Sequence, residues 1–567
     1  RWKSARRRVL LPIGWPLPTR RPSSSGWRGH RALVRKRSSQ LHVSIRVPSR
    51  SALLSDLLMP GWRVLEYSPT RLCELIAEWS RDTSEAFSAS VHAEYFEGYF
   101  EEIKAKTIVV EDEYFDRDYL EDYAAYYVRC FEEYRRTCRR LHFFDRPFAT
   151  SDLEAALEGD SELRDRLQGS YVGFVVVRPI PGYAIGRTCL KTYAKNASDG
   201  VRNFPITLRC KANLHGIDLA VDSLAFQQQD RVVAACATAA LWSAFHGTGV
   251  LFQHHIPSPI EITRSATAHS ADEMRTIPNS GLTTAQMADA IRGCGLEPVM
   301  LRTTDAGVLK GATRAYLLGG IPVLMVGGVY ETAAPTKEIA VHAVAITGFS
   351  SGLDAPAADT LALEASRITK LYVHDDGVGP FARMEFVTAP GEGGAVLTTS
   401  AAPSSDGIGT HQFCPDLLLV PVYHKIRVAY PTMLATLTRF EALLSWLRGE
   451  EAGIPGFTWD IRLTTVNDYK RECIDDAALG RGRREVLEAA MPRFIWLVRG
   501  TTADLGRLDL LFDATGVDTV DGCFRCVTYG TDIVEWFKAL SHSVLDDGQK
   551  FQCGSIVKAI IATSAGA

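Results

Sequence analysis

The longest apolar runs of this 567-residue chain are short and interrupted by glycine, which limits its architecture more than any other feature. In "LLGGIPVLMVGGV" (317–329), glycine pairs bracket six apolar residues. A membrane helix requires about 20 consecutive apolar residues, and no run approaches that length. Bounded runs of this kind read instead as buried strands. The chain is therefore expected to be soluble. Its 46% hydrophobic and 23% charged residues are ordinary for a globular protein and allow large cores. The length suggests about three or four domains.

Charge is unevenly spread. Residues 1–50 carry fourteen Lys and Arg and no Asp or Glu, although the whole chain has a net charge of −3. That stretch is rich in Pro, Ser and Gly and has neither a helical nor a strand period. It reads as a disordered basic arm over 1–55, with nucleic acid or an anionic membrane surface as its conceivable partners. Its prolines and tryptophans fit a transit peptide poorly, and it lacks the apolar core of a secretory signal. The twelve cysteines are scattered. One close pair, Cys523 and Cys526, falls between two apolar runs that read as a hairpin, so a packing role is expected rather than zinc. Nothing resembles a secreted disulfide framework, and a reducing, cytoplasmic location is expected.

Three further segments follow the arm. Residues 56–215 are expected to form an α+β domain of unknown role. Its first part, 62–145, reads as mostly helical, with Leu120, Tyr123, Tyr127, Cys130, Phe131 and Tyr134 at helical spacing. Between Glu94 and Asp122, eleven acidic residues stand against three basic ones, which reads as a solvated acidic face over a tyrosine-rich core. Residues 170–223 then switch to β-branched and aromatic runs. Residues 216–425 alternate helix and strand, and 426–567 read as a C-terminal α/β segment without a catalytic pattern.

The chemistry concentrates in 216–425. In "FQQQDRVVAACATAALWSAF" (226–245) a lone cysteine opens an alanine-rich helix that Gly247 would end. The thiolate is the reactive form of cysteine, and the free amides and dipole of a helix N-terminus favour negative charge. The amide of Gln228 or Gln229, just upstream, could donate to the charge that develops on an attacked carbonyl. Downstream, "VHAVAITGF" places His342 on an apolar strand, and "LYVHDDGVGPF" ends the next strand in His374, Asp375 and Asp376. A His on one strand and an Asp at the end of its neighbour make a base and an orienting group.

These pieces, with "SGLTTAQMADAIRGCGLEPVML" and "YLLGGIPVLMVGG" between them, occur in an order that resembles the papain-like cysteine peptidases of the C39-like kind. That group includes bacteriocin-processing double-glycine peptidases. The resemblance spans residues 226–421 and implies a papain-like domain flanked by two others, α+β overall. It implies Cys236 as nucleophile, His342 as base, Asp375 as orienting carboxylate and Gln229 or Gln228 as oxyanion donor. Ala237 stands where the family has Gly, and His374 and Asp376 flank Asp375 where it has Asn and Pro. No G-x-x-x-x-G-K-[ST] motif occurs, so no ATP-binding cassette is expected.

The expected activity is a thiol hydrolase that cleaves a peptide or isopeptide bond in a protein or peptide substrate, with no cofactor or metal. Acyl transfer to an amine, as in transglutaminase-like proteins, uses the same triad. A catalytically degenerate scaffold acting as a protein-binding or sensory module is the reading from another class. Asp376 rivals Asp375, whereas His246, His254 and His255 read as loop or capping residues and Cys294 as packing near a helix end. The oligomeric state is left open.

Overall fold

The computed structural model describes residues 62–565 apart from 231, 270–276, 278–280, 304, 332–333, 357–360, 388–395, 400–410, 451–455, 504–505, 517–521, 530–546 and 548–549. The basic arm expected over 1–55 lies outside the described residues. Residues Pro60–Ala567 form one compact unit of mixed helices and strands, an α+β architecture.

Its first layer is an antiparallel sheet of β1 (Trp62–Glu66), β2 (Thr107–Tyr114), β3 (Cys138–Phe144), β4 (Tyr171–Val177) and β5 (Ile185–Leu190), in that order. Helices α1 (Val91–Glu102) and α2 (Arg117–Ala125) belong to this layer. Ser90 caps α1 by accepting from Ala93 N, and Asp116 caps α2 by accepting from Asp118 and Tyr119 N. The mostly helical reading of 62–145 holds only in part, since Pro69–Ser80, Ser84–Ser88, α1 and α2 are helical but β1, β2 and β3 interrupt them. The helix over Leu120–Tyr134 stops at Ala125, and Phe131 is fully exposed. "CRRLHFF" is instead a buried strand paired on both sides, because aromatic side chains suit a sheet interior and distant acids neutralise its arginines. Arg139 pairs with Glu78 and Asp112, and Arg140 with Glu111.

The acidic face is solvated only in part: Glu94, Glu97, Glu101, Glu102 and Glu113 are exposed, whereas Asp116, Asp118 and Asp122 are buried. Asp118 accepts from Arg187 (2.7 Å) and from Trp242 Nε1 (3.0 Å), and Asp122 accepts from Ile260 N (3.1 Å). The adjacent Arg117 also pairs with Asp118 (2.7 Å), but Arg187 comes from β5 and Trp242 from helix α3 (Cys236–Phe252), both over 60 residues away. Local composition could not reveal them.

The hairpin of β8 (Leu208–Leu214) and β9 (Ile217–Ser223) is a separate two-stranded sheet, whereas the short pair β6 (Asn196–Ala197) and β7 (Gly200–Asn203) belongs to a nine-stranded sheet. The remaining strands of that sheet are β10 (Leu296–Arg302), β11 (Val323–Glu331), β12 (Ala334–Ser351), β13 (Ile368–Asp375), β14 (Gly379–Val387), β15 (Val396–Thr399) and β16 (His411–Tyr423). Strands β11 to β16 pair each with the next, and β16 pairs back with β11, so the six close into an antiparallel barrel. Residues alternate between its faces. Leu324, Val326, Ala343, Ala345 and Leu419 share a core with Ala240, Leu241 and Phe245 of α3, whereas Val323, Met325, Val344, Ile346 and Leu418 share another with Phe381 and Met384.

The C-terminal residues contribute a helix, Tyr430–Glu450, and an antiparallel sheet of β17 (Thr458–Thr465), β18 (Phe494–Thr501), β19 (Arg507–Asp513) and β20 (Cys523–Tyr529). Cys523 and Cys526 both lie buried on β20 rather than across a hairpin. The boundaries expected at 215 and 425 do not interrupt the packing. Strand β7 pairs with β12 across the first, and Arg314 forms a two-point ion pair with Asp460 of β17 across the second (2.8 and 3.1 Å). No helix among the described residues is long and apolar enough to cross a membrane.

Removing Asp118 would take one partner from the half-buried guanidinium of Arg187, which keeps Asp116 at 3.6 Å, and leave the buried Trp242 Nε1 without its acceptor. Asp118→Ala is expected to cost about 1–3 kcal/mol, seen as a lower urea midpoint; a loss below about 0.5 kcal/mol would contradict this clamp.

Candidate active site

The loop before α3 is built around one carboxylate. Asp230 Oδ1 accepts from the N–H groups of Val232 (2.8 Å), Val233 (2.6 Å) and Ala234 (3.0 Å), and Oδ2 accepts from Tyr127 OH (2.9 Å). This nest delivers Cys236 as the first residue of the helix. The N-cap is Ala235, which offers no side-chain acceptor, and no acid stands in the first turn. The free N–H groups and the positive end of the dipole are therefore left to the half-buried thiol. The helix does not stop at Gly247 but runs to Phe252 and ends at Gln253 in the left-handed region (φ 59°). Gly247 and Gly249 are interior positions where a Cβ would lie 2.6 Å from Pro322 Cγ and 2.5 Å from Ile256 Cγ1. Close packing, not a cap, explains them.

His342 and Asp375 reach the same place from adjacent strands. His342 alternates in phase with Val344 and Ile346, and Asp375 with Leu371 and Val373, out of phase with Ala343 and Ala345, which share a core with the middle of α3. His342 Nε2 lies 2.9 Å from Asp375 Oδ1 and 3.9 Å from Asp376 Oδ1. The thiol of Cys236 lies close enough to the ring to hydrogen-bond to it. Burial pushes the imidazole towards its neutral form, but the charge and hydrogen bond of Asp375, followed by the thiol, hold its pKa well above the usual histidine value. Burial likewise pushes Asp375 up, and the imidazole with the Gly377 N–H (3.0 Å) more than offsets it, keeping the carboxylate below its ordinary range.

Asp376 is a different group. Both its oxygens are buried without a hydrogen bond of normal geometry, and burial, with the neighbouring Asp375, pushes its pKa up to about 7 against the pull of His342. Of the two candidate carboxylates, Asp375 is the one bonded to the imidazole. His374 points the other way, between Phe226 and Phe381 and 3.4 Å from Ser243 Oγ, and burial holds it down at about 3. It is a core histidine.

The two glutamines separate. Gln228 Oε1 accepts from Ile185 N (3.1 Å) and its Nε2 donates to Gly182 O (3.3 Å), so its amide is fixed to the β4–β5 turn and not available as an oxyanion donor. Gln229 is half-buried, its carbonyl accepts from Arg178 (3.3 Å), and its backbone N–H faces Asp376. Its side chain takes no partner among the described residues.

Two groups that carry no sequence motif also reach the site. His92 of α1 donates from Nε2 to the Asp376 carbonyl (3.0 Å), and Tyr95 OH donates to the Pro380 carbonyl (2.6 Å). Nothing in the local pattern of α1 distinguishes them from other aromatic core positions. His246 packs its ring, tilted by 60°, against Trp242 within α3 at a centroid distance of 4.1 Å, rather than lying in a loop. His254 and His255 are loop residues bonded to Thr248 and Glu261, and Cys294 caps the Thr284–Gly293 helix, as expected. His342, Asp375 and Asp376 offer atoms within 4.8 Å of one another, a spacing a cation could span. However, the Asp375 oxygen is already engaged with His342 Nε2, and the raised imidazole favours a proton there over a metal ion. A separate cleft of about 960 Å³, lined by Tyr67, Glu97, Glu101, Lys104 and Lys106 among others, opens in the N-terminal layer. Comparison of the chain with protein families and with curated proteins gives no match.

The glutamines make a paired test. Gln228→Ala is expected to lower stability by about 1–3 kcal/mol because it orphans the buried Ile185 N–H, whereas Gln229→Ala should stay within about 0.5 kcal/mol of wild type. Urea denaturation of both variants checks this, and equal losses would contradict the separation.

Proposed function

We propose that the chain is a cysteine hydrolase of papain-like, C39-like type that cleaves a peptide or isopeptide bond. The observation that carries this reading is the position of His342, bonded through Nε2 to Asp375 at 2.9 Å while its ring meets the Cys236 thiol. The antiparallel barrel packed against α3 supports the same reading.

In the mechanism, the Cys236 proton resides on His342 and the Cys236 sulfur attacks the scissile carbonyl carbon. The oxygen gains negative charge and receives the Cys236 N–H and the Gln229 side-chain amide as donors. His342 returns its proton to the departing amine, which leaves a thioester on Cys236. Water, deprotonated by His342, attacks the thioester, and collapse releases the acid and regenerates the sulfur anion. Asp375 keeps the ring oriented throughout and balances the imidazolium.

Incubating wild-type and Cys236→Ala protein with native cell lysate, followed by N-terminal proteomics and intact-mass spectrometry, tests this. New N-termini, or detached isopeptide-linked chains, are expected with wild type alone, at least about 10³-fold above the variant. Amine incorporation in place of cleavage would identify acyl transfer, and identical profiles would overturn the reading.

A further inference from the structure

Helix α1 lays one stripe of side chains along the segment that follows Asp375. His92, Tyr95, Tyr99 and Glu102 recur at spacings of three, four and three residues, which places them on one helix face. His92 reaches the Asp376 carbonyl, Tyr95 the Pro380 carbonyl and Glu102 the side chain of Arg383. Tyr99 OH donates to Lys191 O at 2.7 Å, and Tyr193, two residues further on, has its hydroxyl 2.9 Å from Tyr95 OH. Gly379 completes the fit, since a Cβ there would lie 2.3 Å from the Tyr95 ring. Contacts at 376, 379, 380 and 383 follow the turn and the first half of β14 without a break.

The turn has few other restraints. Asp375 Oδ1 accepts from Gly377 N, and the Asp375 carbonyl accepts from Val378 N at 3.0 Å. The Asp376 side chain makes no hydrogen bond of normal geometry, although the Gln229 N–H faces it. Its carbonyl is buried beneath α1, and a buried carbonyl that loses its donor costs enough to reorient a short turn towards water. His92 has the properties such a donor requires. It is buried, burial holds its pKa down at about 4, and the neutral ring directs its Nε2 proton at an oxygen that can only accept.

We propose that His92 is a positioning residue of the active site, which through the Asp376 carbonyl holds the Asp375–Asp376 turn so that Asp375 stays on His342. This rests on the hydrolase reading and makes the N-terminal layer a working part of the site. Because Asp375 is one residue from the anchored carbonyl, a rotation of that peptide would swing its carboxylate off the imidazole. Misplacement by about 1 Å can cost as much as a hundredfold.

The test is alkylation of the full-length protein by iodoacetamide at pH 6, followed by mass spectrometry at each cysteine, with melting temperature recorded alongside. Wild-type Cys236 is expected to react at least about tenfold faster than in His342→Ala. His92→Leu, which keeps bulk and loses the donor, should slow Cys236 about tenfold. His92→Gln, whose amide can reach the same carbonyl, should stay within about threefold of wild type. Tyr95→Phe removes one hydroxyl and should slow Cys236 by a smaller factor, and it decides the matter if His92→Leu does not fold. Should wild type react no faster than His342→Ala, the hydrolase reading falls and the proposal with it. Should wild type pass that control while His92→Leu and Tyr95→Phe keep its rate, or His92→Gln fall as far as His92→Leu, the role of His92 alone is overturned.

Discussion

An imidazole and a carboxylate enclosed together by protein must settle where one proton resides, and that constraint organises this molecule. The buried Asp375 and the partly buried His342 would each be costly to charge alone, since an isolated buried charge is far costlier than a paired one. Side by side at the end of the barrel, each holds the other ionised. The pairing needs β12 and β13 in their observed register, with Ala345 opposite His374, because a slip by one residue would send either side chain into the α3 core. The barrel, the α3 helix and the segment that follows Asp375 can all be understood as holding that register.

Much of this was legible in the sequence where the signal is local. The alanine-rich run after Cys236, the His342 strand and the strand ending at Asp375 are found as helix, strand and strand. The C-terminal helix over 430–450 and the strands β17, β18 and β19 were likewise readable from their periodicity. The failures share one physical cause, which is that the deciding partner lies far away in the chain. "CRRLHFF" has two arginines that no short window can neutralise, yet Glu78, Glu111 and Asp112 do so in the fold. Asp118 looked solvated because Arg187 and Trp242 were out of view. Gln228 and Gln229 are adjacent and chemically identical, and only the β4–β5 turn gives them different roles.

The same distance effect hid the N-terminal layer's involvement. Its aromatic residues look like ordinary core material and are mostly that: Phe96 and Phe100 stack at 5.6 Å, and Phe100 on Phe143 at 4.2 Å. Yet α1 turns one stripe outward from this core onto residues 376–383, and α2 grips α3 through Asp118 and Trp242. Both halves of the candidate triad therefore lean on elements that precede the barrel in the chain. Residues Pro60–Ala567 are better described as one compact unit than as a domain carrying two appendages.

The charge state of His342 decides whether the site works as proposed, and histidine-selective NMR reads it directly. At pH 7.5 the His342 ring of the wild-type protein should still carry both protons, because Asp375 holds its pKa well above the ordinary value, and it should become neutral in Asp375→Asn. A wild-type His342 that is already neutral at that pH, or one indifferent to loss of the carboxylate, would contradict the paired-charge site.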